Sequence, residues 1–259
     1  LRPICLDHLS LSDLTALELT EVAAELGCAA VSLFVTPLPL GPYRDLVNDA
    51  AAKVEVMHAL RSSGLAVGIV EPFMLDQAID WNLLQRTAAL TAELGGTINT
   101  LCFDKDRGRL EASLSRLAEI SRAEGARMVI EGFTLSTART VADALELAAI
   151  AGDDVGLTID TLHLKRTGGS WADFAAVPPE RIVHVQLDDG PLVAPADLYL
   201  EATRERLPPG QGEFDLASLI PLIPATARIA IEAPFRAPSG ATPLDRGRVI
   251  VEATRKLLG

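Results

Sequence analysis

The stretch "GLTIDTLHLKRTGG", residues 156–169, closes an apolar run on Asp160 and places a histidine, His163, three positions later. A carboxylate is costly to strip of water unless a cation meets it, so an acid at the end of an apolar run implies a positive partner there. The arrangement recurs. "IVEPF", "VIEGF" and "IEAPF" close their runs on Glu71, Glu131 and Glu232, and "HVQLDD" carries Gln186 at the corresponding point with His184 two residues earlier. Each Glu alone is explained by a neighbouring Lys or Arg. Together, Glu131, Asp160, Gln186 and Glu232 offer three carboxylates and an amide carbonyl. These are hard donors that suit one divalent ion, Mn²⁺ or Mg²⁺ first, with Zn²⁺ or Co²⁺ as alternatives. His184 shares a face with Gln186 one layer deeper, since strand side chains alternate with a period of two, so either could supply this strand's ligand; with Gln186 as the ligand, His184 is expected behind it or facing substrate.

Such a set does chemistry only if the chain brings it to one place. Eight short apolar runs alternate with amphipathic stretches: "ICLDH" (4–8), "AVSLFV" (30–35), "LAVGIVE" (65–71), "INTLCF" (98–103), "ARMVIE" (126–131), "VGLTID" (155–160), "RIVHVQ" (181–186) and "ARIAIE" (227–232). Between them, segments such as "LTALELTEVAAELG" carry an apolar stripe, a charged face and a closing glycine. Runs that are apolar on both faces, each followed by a helix, indicate a parallel sheet. Eight such units and no GxGxxG turn predict a single (β/α)8 barrel over residues 1–259 rather than an open doubly wound sheet. In that fold the carboxyl ends of the strands carry the chemistry, which singles out His8, Glu71, Asp104, Glu131, Asp160, Gln186 and Glu232. His8 and Glu71 are expected to face substrate, a structural role being the alternative for His8. Arg166, in "HLKRTGG", sits close enough to hold a substrate oxygen through its fork or to remain a solvated charge.

Composition narrows the partners. The 259 residues, 49% hydrophobic, are enough to bury a large core. A net charge of −12 with no basic cluster repels phosphate backbones and anionic lipid, so neither nucleic acid nor membrane is an expected partner. The chain has no apolar run of the roughly 18 residues that a membrane helix needs, and its opening "LRPICLDHLS" lacks a signal-peptide pattern; a cytoplasmic protein is expected. Cys5, Cys28 and Cys102 share no metal or disulfide spacing and read as core thiols. Low aromatic content, 4%, argues against a polysaccharide platform.

Over nearly its whole length the chain resembles the xylose isomerase-like barrels, which include sugar isomerases, epimerases and related lyases. The resemblance implies metal ligands from four strand ends, here Glu131, Asp160, Gln186 and Glu232. It also implies that the Asp-x-x-His pattern of Asp160 and His163 sets a histidine against substrate. Many members carry His where this chain has Gln186; branches similar to hydroxypyruvate isomerase and dehydroshikimate dehydratase share its "HVQ". The Pro-Gly-x-Gly turn common in the family is seen here as Pro209 to Gly212, in the long loop that also holds Arg204 and Arg206. Barrels similar to apurinic endonuclease use three zinc ions and extra His ligands, for which four histidines and an acidic chain are a poor match.

Carboxylates around a divalent ion can remove a proton next to a carbonyl that the ion polarises, giving an enediolate held on the metal. Glu131 and Glu232, with His163 on a substrate oxygen, are the expected catalytic groups. Proton return to the same carbon is epimerisation, and return to its neighbour is aldose–ketose isomerisation. Loss of a β-hydroxyl is dehydration. The expected activity is therefore a metal-dependent isomerase or epimerase of a small sugar or hydroxy-carbonyl compound. A dehydratase on a β-hydroxy ketone is the alternative, and a non-catalytic ligand-binding barrel a third. The expected partner is a small-molecule substrate, and many barrels of this kind pair as homodimers.

Overall fold

Eight parallel strands close into one ring in the computed structural model, which describes residues 2–259: β1 (Ile4–Asp7), β2 (Ala30–Phe34), β3 (Ala66–Leu75), β4 (Thr97–Cys102), β5 (Arg127–Glu131), β6 (Gly156–Asp160), β7 (Ile182–Leu187) and β8 (Arg228–Ile231). Strand β8 returns to β1 with Ile4 opposite Ile229 and Leu6 opposite Ile231, which closes the barrel. The predicted (β/α)8 architecture is the one formed.

The eight apolar runs coincide with the strands to within a residue or two at their ends, except at β3. That strand continues through Pro72 to Leu75. Proline cannot donate to the ladder, and the register against β4 slips between Val70 and Phe73, where the strand bulges. At β1 the strand stops on Asp7, and His8 opens a 3-10 turn, His8–Leu11.

Helices wrap the outside. Several start on a capping box, as at Thr15 with Glu18 and Thr140 with Asp143, where each side chain satisfies the other's orphan backbone N–H. Their apolar faces, for example Leu19 and Ala23 in Ala16–Glu25 or Leu147 and Ala148 in Val141–Ala151, pack on the strands' outward residues and form the main core. The barrel interior is polar. Ser32, Asn99, Thr158 and His184 are buried there, Ser32 accepting from the Ile69 N–H and the other three bonded to one another or to acids, a departure from the branched aliphatic layers usual in this fold. Cys5, Cys28 and Cys102 are free and buried. No helix among the described residues is long and apolar enough to cross a membrane.

Candidate active site

The carboxyl ends of the strands converge on a buried acidic centre. Asp7, from β1, accepts hydrogen bonds on Oδ2 from His184 Nε2 and from Gln186 Nε2, each at 3.1 Å. This fixes the Gln186 amide, because only its NH₂ can face a carboxylate. Gln186 Oε1 is left buried with no partner. His184, one layer deeper, is turned to Asp7.

On the other side of the ring, Asn99 in β4 donates through Nδ2 to Glu71 Oε1 at 2.8 Å and to Glu131 Oε2 at 2.7 Å. Its own Oδ1 accepts from Thr158 at 2.8 Å. One amide thus holds two carboxyl groups side by side. Burial, reinforced by the charge of Asp7, pushes Glu71 up from 4.5 to about 8, and its Oε2 has no partner. Burial with the charges of Glu71 and Asp160 raises Glu131 well above the carboxylate range.

A single guanidinium sits among the acids. Arg206, only 1% exposed, donates from Nη1 to Asp160 Oδ2 at 2.6 Å and to Asp188 Oδ2, and from Nη2 it reaches Glu232 Oε2 at 3.0 Å. One positive charge cannot neutralise three negative ones out of water. Burial and the neighbouring Asp160 charge raise Asp188, and burial raises Glu232 despite Arg206. Burial also opposes ionisation of Asp160, but Arg206 and the His163 backbone N–H, 3.0 Å from Oδ1, hold that carboxyl below its ordinary value.

His163 follows Asp160 on the short helix Thr161–Arg166, whose N-cap is Asp160 itself. Burial lowers its pKa to about 4, so the ring is neutral. Nδ1 pairs with Thr134 Oγ1 at 3.1 Å, while Nε2 has no hydrogen-bond partner and lies 3.8 Å from Glu131 Oε1. Among the described residues, Glu131, Asp160 and His163 offer donor atoms within 4.8 Å of one another, a candidate metal-binding triad. The donor set fits a hard divalent ion. Gln186 Oε1 is a buried acceptor without a donor, Glu71 Oε2 is buried without a partner, and among the described residues the six acids Asp7, Glu71, Glu131, Asp160, Asp188 and Glu232 gather around one arginine.

Arg206 is the residue whose importance the sequence pattern does not announce. Its loop is built to deliver it. Asp189 pairs with Leu207 through both backbone groups, and its carboxylate accepts from the N–H groups of Gly210 (3.0 Å) and Phe214 (3.1 Å). Gly210 has φ +80°, and a Cβ on Gly212 would lie 2.6 Å from Gly190 backbone atoms, so both glycines are required. The available signal was position: Arg206 stands immediately before "LPPGQG". Asp7 and Asn99 were also missed, although an Asn inside an apolar run is itself a signal.

Not every expected residue reaches this centre. His8 is fully buried, its Nε2 donating to Leu14 O at 3.0 Å and its Nδ1 accepting from Phe34 N at 3.1 Å. Both ring nitrogens are engaged with backbone. Arg166 grips Glu201 through Nε at 2.7 Å and Pro191 O at 2.8 Å, which ties the β7–β8 loop to the helix after β6. Asp104 pairs with Arg109. Glu71, Glu131, His163, Arg206 and Glu232 do meet, at the floor of a cavity of about 320 Å³ over the mouth of the barrel.

The comparisons with known proteins agree with the fold. Over 193 residues the chain is 28% identical to a 3-dehydroshikimate dehydratase of Pseudomonas aeruginosa, covering 68% of this chain and 30% of that protein, so it spans less than a third of that relative's length. Its fold is similar to a solved xylose isomerase-like TIM barrel/4-hydroxyphenylpyruvate dioxygenase fusion protein, with a TM-score of 0.80 at 21% identity, covering 99% of this chain and 42% of that one. A D-allulose 3-epimerase from Methylomonas aligns with a TM-score of 0.72 at 15% identity, covering 99% of this chain and 98% of that one. Residues 20–237 match the family described as xylose isomerase-like TIM barrel, and the chain belongs to it.

Proposed function

We propose that this barrel is a divalent-metal-dependent isomerase or epimerase that moves a proton next to the carbonyl of a small hydroxy-carbonyl compound. The observation that carries the reading is that Glu131 and Glu232, from the ends of β5 and β8, line one cavity with carboxyl groups that burial pushes upward. Carboxyl groups raised in this way can hold a proton as well as release one.

Their surroundings assign them different roles. Arg206 Nη2 lies 3.0 Å from Glu232 Oε2 and opposes the upward pull of burial there, so Glu232 is assigned as the base. Glu131, lining the same cavity, is the group through which the proton returns. His163, neutral and with Nε2 unpaired, holds a substrate oxygen beside Glu131. Asn99 orients Glu131, and Arg206 fixes Asp160. Glu131, Asp160, Glu232 and Gln186 Oε1 would hold the metal. When bound, it supplies polarisation of the carbonyl and its neighbouring hydroxyl, which acidifies the C–H between them.

A second reading is dehydration of a β-hydroxy ketone by the same proton removal, supported by the similarity to the 3-dehydroshikimate dehydratase. The test is metal analysis together with solvent-deuterium exchange into candidate hydroxy ketones in heavy water with Mg²⁺. Glu232→Gln and Glu131→Gln are each expected to lower exchange by about 10²–10⁴-fold. Unchanged metal content and exchange in both variants would overturn the proposal. A product absorbing in the ultraviolet would select the dehydratase reading.

A further inference from the structure

The cavity that holds the acidic floor has walls of another character. Phe34, Leu40, Leu101, Phe103, Phe133 and Leu135 line it, its charged groups are those of the acidic centre, and its other polar side chains are Tyr199 and Thr203. The aromatic walls are braced by edge contacts: Phe103 meets Phe133 with centroids 6.1 Å apart at 79°, and Phe133 meets His163 at 4.4 Å and 85°. Two wall residues, Met74 and Leu135, are 38% and 40% exposed, so apolar surface continues to the rim.

Among the described residues no lysine lines this cavity, and its one arginine is already gripped by Asp160, Asp188 and Glu232. A hydroxyl moved from water to such a wall loses its hydrogen bonds without replacement. A carboxylate or phosphate would have to compete with these buried acids for the metal and for an arginine already engaged. An apolar body gains from leaving water in the same place.

Resting on the proton-transfer reading above, we propose that the substrate is an uncharged hydroxy-carbonyl compound with an apolar, ring-sized body, rather than an open polyol or a carboxylated ring. The hydroxy-carbonyl end meets Glu131, His163 and Glu232, and the body lies against Phe103 and Phe133.

The test compares three probes by calorimetry on the full chain with Mg²⁺: α-hydroxyacetophenone, D-fructose and 3-dehydroshikimate. The aromatic ketone is expected to bind at least about tenfold more tightly than either of the others. Leu135→Gln and Met74→Gln, both at exposed positions, are expected to weaken it several-fold while leaving metal content and the melting temperature unchanged. Equal or tighter binding of fructose or dehydroshikimate overturns the inference, as does aromatic binding that ignores both variants. Deuterium exchange separates this result from the proposed function. An aromatic ketone that binds with the stated preference but exchanges no proton upholds the inference about the pocket and removes the catalytic reading. Exchange into fructose without any aromatic preference does the reverse.

Discussion

The two ends of the barrel use the same eight strands differently. At the amino end, Arg2, Arg127 and Arg228 border a cavity of about 450 Å³, larger than the carboxyl-end cavity of about 320 Å³. Yet Arg2 is occupied by the carbonyls of Ile223, Pro224 and Ala227 at 2.7–3.0 Å, and His184, which lines the same cavity, gives its Nε2 to Asp7. At the carboxyl end, acids outnumber cations, and buried oxygens on Gln186 and Glu71 lack donors. Unmet charge and unpaired polar atoms, more than space, distinguish a reactive end from a structural one.

The sharpest way to break that contrast is to remove the one cation from the acidic end. Arg206→Leu leaves Asp160, Asp188 and Glu232 without it and is expected to cost about 3–5 kcal/mol in denaturant unfolding of the metal-free protein. Arg206→Lys should recover part of this, because a point charge cannot fork between three acids. A wild-type unfolding midpoint in Arg206→Leu would show that the acids are not held by Arg206.

Asn99→Ala comes next. It strips the donor shared by Glu71 and Glu131 and should lower stability by about 1–3 kcal/mol. Turnover should fall about 10–100-fold, as when outer partners of a metal ligand are removed. Stability loss with full turnover would reduce Asn99 to a packing residue.

A smaller effect is expected in the pH dependence. Glu71 keeps its proton in the folded state up to about pH 8, whereas the unfolded chain releases it near 4.5. Its contribution to stability is therefore whole below pH 4.5 and is lost as pH rises through about 8. Thermal melts of metal-free protein should show a decline across that window, flattened in Glu71→Gln. An identical slope in the variant would place the titration elsewhere. Smallest of all, Arg127→Gln and Arg228→Gln at the opposite end should stay within about 0.5 kcal/mol of wild type with turnover unchanged. A catalytic defect there would dissolve the distinction between the ends.

The ring itself was legible because parallel strands buried on both faces read as apolar runs, and helices between them read by their stripe and closing glycine. Strand ends likewise pointed to Glu71, Glu131, Asp160 and Glu232, since an acid after an apolar run is a local signal. His8 shows the limit of that rule. Reading the strand one residue too long gave His8 the place that Asp7 occupies, and the period of two then aimed the wrong side chain inward. For Arg206 the local signal stops at its place before the glycine turn. Its partners come from β6, the end of β7 and the end of β8, and only the folded path of a long loop brings it to them.

That path has a consequence for how such a barrel changes over time. The positive charge at its heart is carried on an excursion outside the staves, anchored by the Asp189 carboxylate and by the Arg166–Glu201 clasp. Lengthening or shortening the excursion would retract or reposition that charge while every stave stayed in register. The scaffold can thus exchange one electrostatic balance for another without rebuilding its frame.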